Sequence, residues 1–82
     1  MLDTKIATWN LHGKLVDTLH QELLERDLIK KGINICCLQE TRMNQDAEIH
    51  CSKGCIIINM KAESNAHKRY GMGFYVSKKW MS

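Results

Sequence analysis

The stretch from Ile33 to Arg42 joins a short apolar run to an abrupt polar ending. Its first part is rich in isoleucine and cysteine, which predicts a strand buried on both faces of a sheet. The run then ends in Gln39 and Glu40. Open α/β sheets tend to bind ligands at the carboxyl ends of their strands. We therefore expect Glu40 to lie at a functional edge of a sheet and to be a metal ligand.

The segment before this stretch predicts a helix from Val16 to Lys31. Its leucines recur at helical spacing and form an apolar stripe together with Val16. Asp17 near the start and Lys30 near the end suit the helix dipole, and Gly32 is typical of the position that follows a helix. The leucines of the stripe are Leu19, Leu23, Leu24 and Leu28.

A first strand is predicted from Lys5 to Asn10, with both faces at least partly covered, and a turn containing Gly13 follows it. With the helix and the second strand, Ile33 to Gln39, it forms a βαβ unit, whose strands run parallel. Parallel strands have their carboxyl ends at the same edge of the sheet. We therefore predict that Asn10 and Glu40 lie close together, although they are far apart in the sequence.

The second half of the chain predicts two further strands separated by polar loops. The range Met43 to Gly54 indicates an irregular loop, and Cys55 to Met60 is β-branched and predicts a third strand. Lys61 to Arg69 indicates a loop, and Tyr70 to Ser77 predicts a fourth strand that pairs antiparallel with the third. Glycines in this last strand indicate close backbone approach or a bulge. They are Gly71 and Gly73.

No helix is predicted after the fourth strand, so the only predicted helix can cover one face of the sheet. The other face would then be apolar and bare, which is unusual for a complete domain. Such a face favours aggregation or a partner. We expect this partner to be the missing remainder of the domain or another protein.

Composition places the chain among small globular proteins. Its 82 residues allow one small domain, and 44% hydrophobic with 26% charged residues argues against disorder. The net charge of +3 is compatible with a polyanionic partner. The N-terminus lacks a signal-peptide pattern, so we expect an intracellular protein of the nucleus or cytoplasm, not a secreted one. The apolar runs are too short to span a membrane, and Cys36 and Cys37 are interpreted as core residues.

Three segments in this order and spacing resemble the start of the endonuclease/exonuclease/phosphatase family. They are Thr8–Gly13, Cys37–Arg42 and Gly71–Ser77. The chain looks most like the apurinic-type endonucleases of non-LTR retrotransposons and the craniofacial development protein 2-like proteins. The resemblance covers nearly the whole chain. It implies a four-layer α/β/β/α sandwich, of which residues 1–82 are an N-terminal fragment, and DNA as the partner of the parent domain.

The resemblance also implies a chemistry and a site. Family members cleave phosphodiester bonds with Mg²⁺, and Mn²⁺ is an alternative ion. The family's first motif implies that Asn10 helps to organise the attacking water and its acidic partner. The Gln-Glu-Thr motif implies that Glu40 binds the metal, and the resemblance places Asn10 with Glu40 at the metal site. Mg²⁺ prefers oxygen ligands and keeps several waters, so one or two carboxylates are enough. Arg42 is a candidate contact to substrate phosphate, with a solvated surface arginine as the alternative.

The chain also departs from the family pattern. His12 stands where many relatives carry an acidic or amide residue. The later motifs, which supply a general-base aspartate, its neighbouring asparagine and an aspartate–histidine pair, are expected to lie beyond Ser82. The histidines of this chain match none of them. We therefore expect the isolated chain to be inactive, and leave open whether it is an enzyme fragment or a non-catalytic remnant that binds nucleic acid or protein.

Several residues have simpler interpretations. Asn10 is also suited to capping a turn. His50, Cys51 and Cys55 are candidate zinc ligands, although they lack a Cys-x-x-Cys pair, and they define a third hypothesis of a small zinc- or redox-linked module. The basic run from His67 to Arg69 indicates either a solvated patch or a DNA contact.

Overall fold

A five-stranded mixed sheet with one long helix organises the chain. The structure is a computed structural model that describes residues 4–13, 15, 17–43, 45–61 and 71–81. The strands lie in the order β1-β2-β5-β4-β3, with β1 and β2 parallel and every other pair antiparallel. The elements are β1 (Ile6–Asn10), α1 (Thr18–Lys30), β2 (Ile35–Gln39), β3 (Ala47–His50), β4 (Ile56–Met60), β5 (Met72–Val76) and α2 (Lys78–Met81).

The helix α1 forms where the leucine periodicity predicts it, and both of its ends are capped. At the start, Asp17 Oδ1 accepts a hydrogen bond from the backbone N–H of His20 at 2.8 Å. At the end, the N–H of Ile33 donates to the carbonyl of Leu28 at 2.9 Å, and the N–H of Gly32 donates to the carbonyl of Ile29 at 3.0 Å. These bonds fix the length of the helix and return the chain directly into β2.

The buried stripe of α1 is narrower than the sequence predicts. Leu24 and Leu28 are buried in the core, whereas Leu19 is 65% exposed and Leu23 is 45% exposed. The helix faces a single sheet, so only the leucines on the side toward that sheet are covered. The predicted start at Val16 lies outside the described residues.

The register of the strands separates a helix-covered face from an open face. On the covered face, Cys36, Leu38, Ile57 and Tyr75 are fully buried and share one core with the helix leucines. The residues between them point the other way, to a face that α1 does not cover. The open face includes Ile6, Thr8, Ile35, Cys37, Glu48, His50, Ile56, Ile58, Met60, Met72, Phe74 and Val76.

The open face corrects two predictions about burial. The second strand was expected to be buried on both faces, but Ile35 and Cys37 are only half-buried. The first strand was expected to be at least partly covered on both faces, but Ile6 is 67% exposed. Cys37 is therefore not a core residue of this chain, unlike Cys36, and all four cysteines are free thiols.

Two elements contradict the sequence predictions. The range predicted as an irregular loop contains β3, whose Ala47 and Ile49 are half-buried on the covered face while Glu48 is exposed. A four-residue run alternates too briefly to be recognised by its pattern. The short helix α2 also forms directly after β5, where no helix was predicted, and Ser77 Oγ accepts from the N–H of Trp80 at its start.

The strand β5 passes close to its neighbours, as its glycines predict. A Cβ at Gly73 would lie 2.8 Å from the carbonyl oxygen of Ile58, so only glycine fits without a shift. The register of β5 is continuous, without a bulge. The predicted loop before it lies largely outside the described residues, which resume at 71. Within the described part, the helices have 13 and 4 residues, too short to cross a membrane.

Candidate active site

Asn10 and Glu40 meet at the edge where the parallel strands β1 and β2 end. Asn10 is the last residue of β1, and Glu40 directly follows β2. The side-chain amide of Asn10 donates to Glu40 Oε2 at 2.5 Å. The predicted closeness of the two residues is therefore confirmed, and it follows from the parallel pairing of their strands.

Glu40 is held as an anion by the groups around it. The hydrogen bond from Asn10 and a second one from Arg42 lower the pKa of its carboxyl below the usual value, and the nearby His12 and Arg42 act in the same direction. Arg42 Nη2 lies 3.1 Å from Glu40 Oε1, and the Glu40 side chain remains 23% exposed. The carboxylate is thus both ionised and accessible from solvent.

The backbone around this carboxylate is strained. His12, Glu40 and Arg42 all adopt left-handed conformations, with φ between 51° and 56°, and they are the non-glycine residues with positive φ among those described. Such a conformation costs about 1–3 kcal/mol per residue and occurs most often at functional sites. All three residues lie in the two loops that carry the Asn10–Glu40 pair.

The two loops are also joined to each other by hydrogen bonds. The N–H of Gly13 donates to the carbonyl of Glu40 at 2.7 Å, and the N–H of Leu11 donates to the carbonyl of Gln39. Within the first loop, Asn10 Oδ1 accepts from the N–H of His12 at 3.0 Å. Asn10 therefore caps its own turn, which confirms that interpretation, and the same side chain also donates to Glu40.

Thr41, the residue after Glu40, belongs to a buried polar pair that was not predicted from the sequence. The fully buried Thr41 donates from Oγ1 to Asn59 Oδ1 at 2.5 Å. The Asn59 amide in turn donates to the carbonyl of Gln45 at 2.9 Å. One signal was available, because Asn59 interrupts the run of isoleucines in β4, and a buried amide in an apolar strand needs partners.

A small cleft opens beside Asn10. Its volume is about 240 Å³, and Asn10 and His12 line it together with His20 and Asp27. The apolar part of its wall comes from β1 and α1. The cleft gives this edge of the sheet a concave surface next to the ionised carboxylate.

The donor atoms at this edge fit Mg²⁺ as one part of a site. Glu40 supplies a hard, ionised oxygen donor, which Mg²⁺ prefers, and such an ion completes its shell with water. Asn10 directs its amide N–H₂ toward Glu40, and its oxygen is taken by His12. In this arrangement Glu40 would hold the ion, and Asn10 donates a hydrogen bond to the carboxylate that would hold it. Arg42, with its side chain 40% exposed, lies on the same carboxylate.

The proposed zinc ligands do not assemble into one site. His50 pairs with the exposed Glu48, at 2.7 Å between Nε2 and Oε2. Cys51 and Cys55 are instead buried in the core. Among the described residues, the one group of at least three possible metal donors joins Cys51 to Glu22 and Glu25, with donor atoms within 4.8 Å of one another.

Those two carboxylates already have a structural role. Glu25, fully buried, accepts hydrogen bonds from the N–H groups of Lys53 and Cys55, each at 3.1 Å. Glu22 accepts from the N–H and hydroxyl of Ser52. Burial and the two carboxylates raise the pKa of the Cys51 thiol to about 12. The cluster therefore fastens the β3–β4 turn to α1, and its thiol stays neutral.

The basic run from His67 to Arg69 lies outside the described residues.

Comparison of the chain with protein-family models, with curated proteins and with solved structures found no match. The candidate site therefore has to be judged on its own residues and geometry.

Proposed function

We propose that this chain is the N-terminal part of a Mg²⁺-dependent endonuclease of the endonuclease/exonuclease/phosphatase type, whose complete domain nicks DNA. The observation that carries the proposal is the Glu40 carboxylate. It is ionised, accessible, oriented by Asn10 and Arg42, and placed on left-handed backbone at the carboxyl ends of two parallel strands. The three segments that resemble the family supply the other support.

Each residue of the site has a role in this proposal. Glu40 holds Mg²⁺, and Mn²⁺ can replace that ion. The ion, when bound, stabilises negative charge on a phosphoryl oxygen and on the leaving oxygen. Asn10 fixes the orientation of the Glu40 carboxylate through its 2.5 Å hydrogen bond. Arg42, whose side chain is 40% exposed beside Glu40, contacts a phosphate of the DNA backbone, which its guanidinium is suited to bind.

The proposed parent domain is a four-layer sandwich. Its second sheet packs on the open face, where Ile58, Met60 and Met72 are each more than 40% exposed. The later family motifs supply the general base and the remaining groups that stabilise the transition state. Each such group contributes on the order of a hundredfold or more to the rate, so the 82-residue chain alone does not turn over. The parent acts inside the cell, in the nucleus or cytoplasm.

Metal binding by the chain itself is the first test. Titration with Mn²⁺, followed by the loss of its free electron paramagnetic resonance signal, should show a site that Glu40→Gln removes. Asn10→Ala should weaken it about ten- to a hundredfold, as loss of a partner that orients a metal ligand does. Glu48→Gln removes an exposed carboxylate elsewhere and is the matched control. Equal binding by the Glu40→Gln variant would contradict the assignment.

Cleavage is the second test and requires a completed domain. The chain, extended by the coding sequence that follows it in its genome, should nick supercoiled plasmid in the presence of Mg²⁺. Glu40→Gln should abolish nicking and leave the far-ultraviolet circular dichroism unchanged, because it removes the charge but keeps the shape. Near-normal nicking by this variant, with the same metal dependence, would refute the role of Glu40.

A non-catalytic interaction module is the second candidate function, and the open face favours it. Exposed apolar surface of this kind is typical of a protein-binding face. In that case the extended chain would neither nick DNA nor bind Mn²⁺ through Glu40. It would instead lose partner binding when Ile58 or Met60 is replaced by lysine.

A further inference from the structure

A second, larger cleft lies at the end of the sheet opposite Glu40. Its volume is about 620 Å³, within the range of about 300–1,000 Å³ typical of small-molecule sites. It is bounded by the residues that precede β1 and β2 and by those that follow β5. No residue of the Asn10–Glu40 site lines it, so it is independent of the function proposed above.

The lining of this cleft is strongly basic. Four of its ten described lining residues are lysines, and none is an aspartate or glutamate. Ammonium groups around one concavity repel one another, and an anion placed among them offsets that repulsion. The charge of Lys53 also acts on the Glu22 carboxylate, whose pKa it helps to lower. The lysines are Lys5, Lys53, Lys78 and Lys79.

Two of these lysines lie against glycines. A Cβ at Gly54 would stand 2.6 Å from Lys78 Cδ, and one at Gly32 would stand 3.8 Å from Lys5 Nζ. The absence of a side chain at Gly54 lets the Lys78 stem lie along the backbone at the cleft. Gly54 thus leaves room for Lys78, whereas a Cβ at Gly32 would only make an ordinary contact with Lys5.

The backbone segments that carry these lysines are joined by hydrogen bonds. The N–H of Lys5 donates to Asn34 Oδ1 at 2.8 Å, and the N–H of Ser77 donates to the carbonyl of Asn34 at 2.9 Å. Lys53 is held through its own N–H by the buried Glu25. The spacing between the lysine backbones is therefore set by the fold before any ligand arrives.

The rest of the lining is mostly apolar. Ile29, 44% exposed, and the half-buried Ile33 face the cleft beside the lysines. A simple inorganic anion would leave this surface uncovered. A ligand that carries an aliphatic or aromatic group would cover it and gain about 25 cal/mol per Å² of apolar area removed from water.

We propose that this cleft binds a small organic phosphate monoester. Its phosphate lies among Lys5, Lys53 and Lys78, and its apolar body lies against Ile29 and Ile33. A phosphate monoester carries a charge of about −1.5 to −2 at pH 7, which matches several lysines better than a single carboxylate does. Lysine is suited to this role because it presents a compact point charge to phosphate.

Lysine labelling of the full 82-residue chain tests the proposal. The chain is acetylated briefly at low micromolar concentration, with and without hexyl phosphate, and each lysine is quantified by mass spectrometry. Hexyl phosphate should slow the labelling of Lys5, Lys53 and Lys78 by at least about threefold once most sites are occupied. Lys30 and Lys61, which do not line the cleft, should be labelled at an unchanged rate. Equal protection of all five lysines would overturn the proposal.

Three further ligands test the chemistry of the site. Inorganic phosphate should protect the same lysines less well, and hexanol should not protect them. Protection by hexanol equal to that by hexyl phosphate would overturn the role of the lysines. If inorganic phosphate protected as well as hexyl phosphate, the role of the apolar surface would be overturned. If hexanoate protected as well as hexyl phosphate, the choice of phosphate would be overturned.

Variants and salt complete the test. In Lys5→Glu/Lys78→Glu, protection of Lys53 should be lost, whereas the matched charge reversal Lys30→Glu/Lys61→Glu should retain it. If the first variant fails to fold, the wild-type chain still tests the role of charge. Protection by hexyl phosphate should weaken as sodium chloride is raised from about 50 to about 500 mM, because salt screens the lysine charges. Protection insensitive to salt would overturn the proposal. In the Glu40→Gln variant, hexyl phosphate should protect the same lysines as in the wild-type chain, which separates this site from the proposed nuclease function.

Discussion

Ile57 and Ile58 are neighbours in β4 and have identical side chains, yet their surroundings differ completely. Ile57 points to the covered face and is fully buried, whereas Ile58 points to the open face and is 43% exposed. Both faces are apolar. What separates them is the helix α1, which lies on only one of them. Burial in this sheet therefore depends on the partner element and not on the hydrophobicity of the strand.

The covered face also has a buried carboxylate that holds a turn, and the open face has none among the described residues. Glu25 of α1 accepts hydrogen bonds from two N–H groups in the turn between β3 and β4. On the open face, the described ion pair between Glu48 and His50 is largely exposed to solvent. Such exposed pairs contribute little to stability. The two faces thus differ in polar as well as apolar packing.

The largest expected effect comes from truncating the two isoleucines. Ile57→Ala should lower the free energy of unfolding by about 2–5 kcal/mol, because it leaves a cavity in the core. Ile58→Ala should lower it by less than about 1 kcal/mol. Urea unfolding followed by circular dichroism measures both. Equal losses would show that the open face is covered in solution, for example by a second copy of the chain.

The next effect concerns the turn held by α1. Glu25→Gln replaces one acceptor oxygen by a donor, so the N–H of Lys53 or Cys55 loses its buried partner. We expect a loss of about 1–3 kcal/mol in the free energy of unfolding. Glu48→Gln, on the open face, should change it little and serves as the control. Hydrogen exchange at the amides of residues 52–55 should accelerate in the first variant alone.

Alkaline pH should also distinguish the covered face. Burial raises the pKa of the Cys51 thiol from 9.0 to about 12. Between these values the unfolded chain releases this proton and the folded chain keeps it, so stability is complete below pH 9 and falls as pH rises toward 12. One such group contributes a slope of at most about 1.4 kcal/mol per pH unit.

Replacing Cys51 by serine should make that slope shallower. The measurement is urea unfolding at pH 8, 9, 10 and 11, values chosen at roughly unit steps across the window. Cys36 and Cys55 also have raised thiol pKa values through burial, so part of the slope should remain. A slope unchanged by Cys51→Ser would mean that this thiol is accessible in solution.

The smallest expected effect is on self-association. Ile58→Lys adds a charge to the open face and should weaken association between chains about tenfold, which corresponds to about 1.4 kcal/mol. Sedimentation velocity over a concentration series measures it. Leu19→Lys changes an exposed leucine of α1 away from that face and is the control. The same weakening in both variants would indicate non-specific association.

The sequence predicts those parts of the fold that depend on local pattern and chain order. The leucine periodicity and Gly32 locate α1, and the succession of strand, helix and strand predicts that Asn10 and Glu40 meet. The exposure of Leu19 and Leu23 could not be predicted, because it depends on how many layers pack against the helix. The strand β3 was missed for a related reason, since its four residues acquire their conformation from pairing with β4.

The candidate site was predicted in the same uneven way. The residues proposed to act directly, Asn10 and Glu40, lie at strand ends, where order along the chain is informative. The pair Thr41 and Asn59 could not be predicted in this way, because the two residues meet only through the packing of β5 and β4 beside β2. The left-handed conformations of His12 and Arg42 likewise have no local signal. The bond that joins their two loops, from the N–H of Gly13 to the carbonyl of Glu40, connects residues far apart in the sequence.

The position of β5 in the sheet has a consequence for the order of folding. This strand lies at the centre, between β2 and β4, although it comes last in sequence among the five described strands. Pairs such as Gln39 with Met72 close loops of more than thirty residues, which slows their formation. The carbonyl of Gly71, just before β5, also accepts from the N–H of Thr41. The edge that carries Glu40 is therefore completed late, so a nascent chain ending before β5 would hold its key carboxylate without the backbone that orients it.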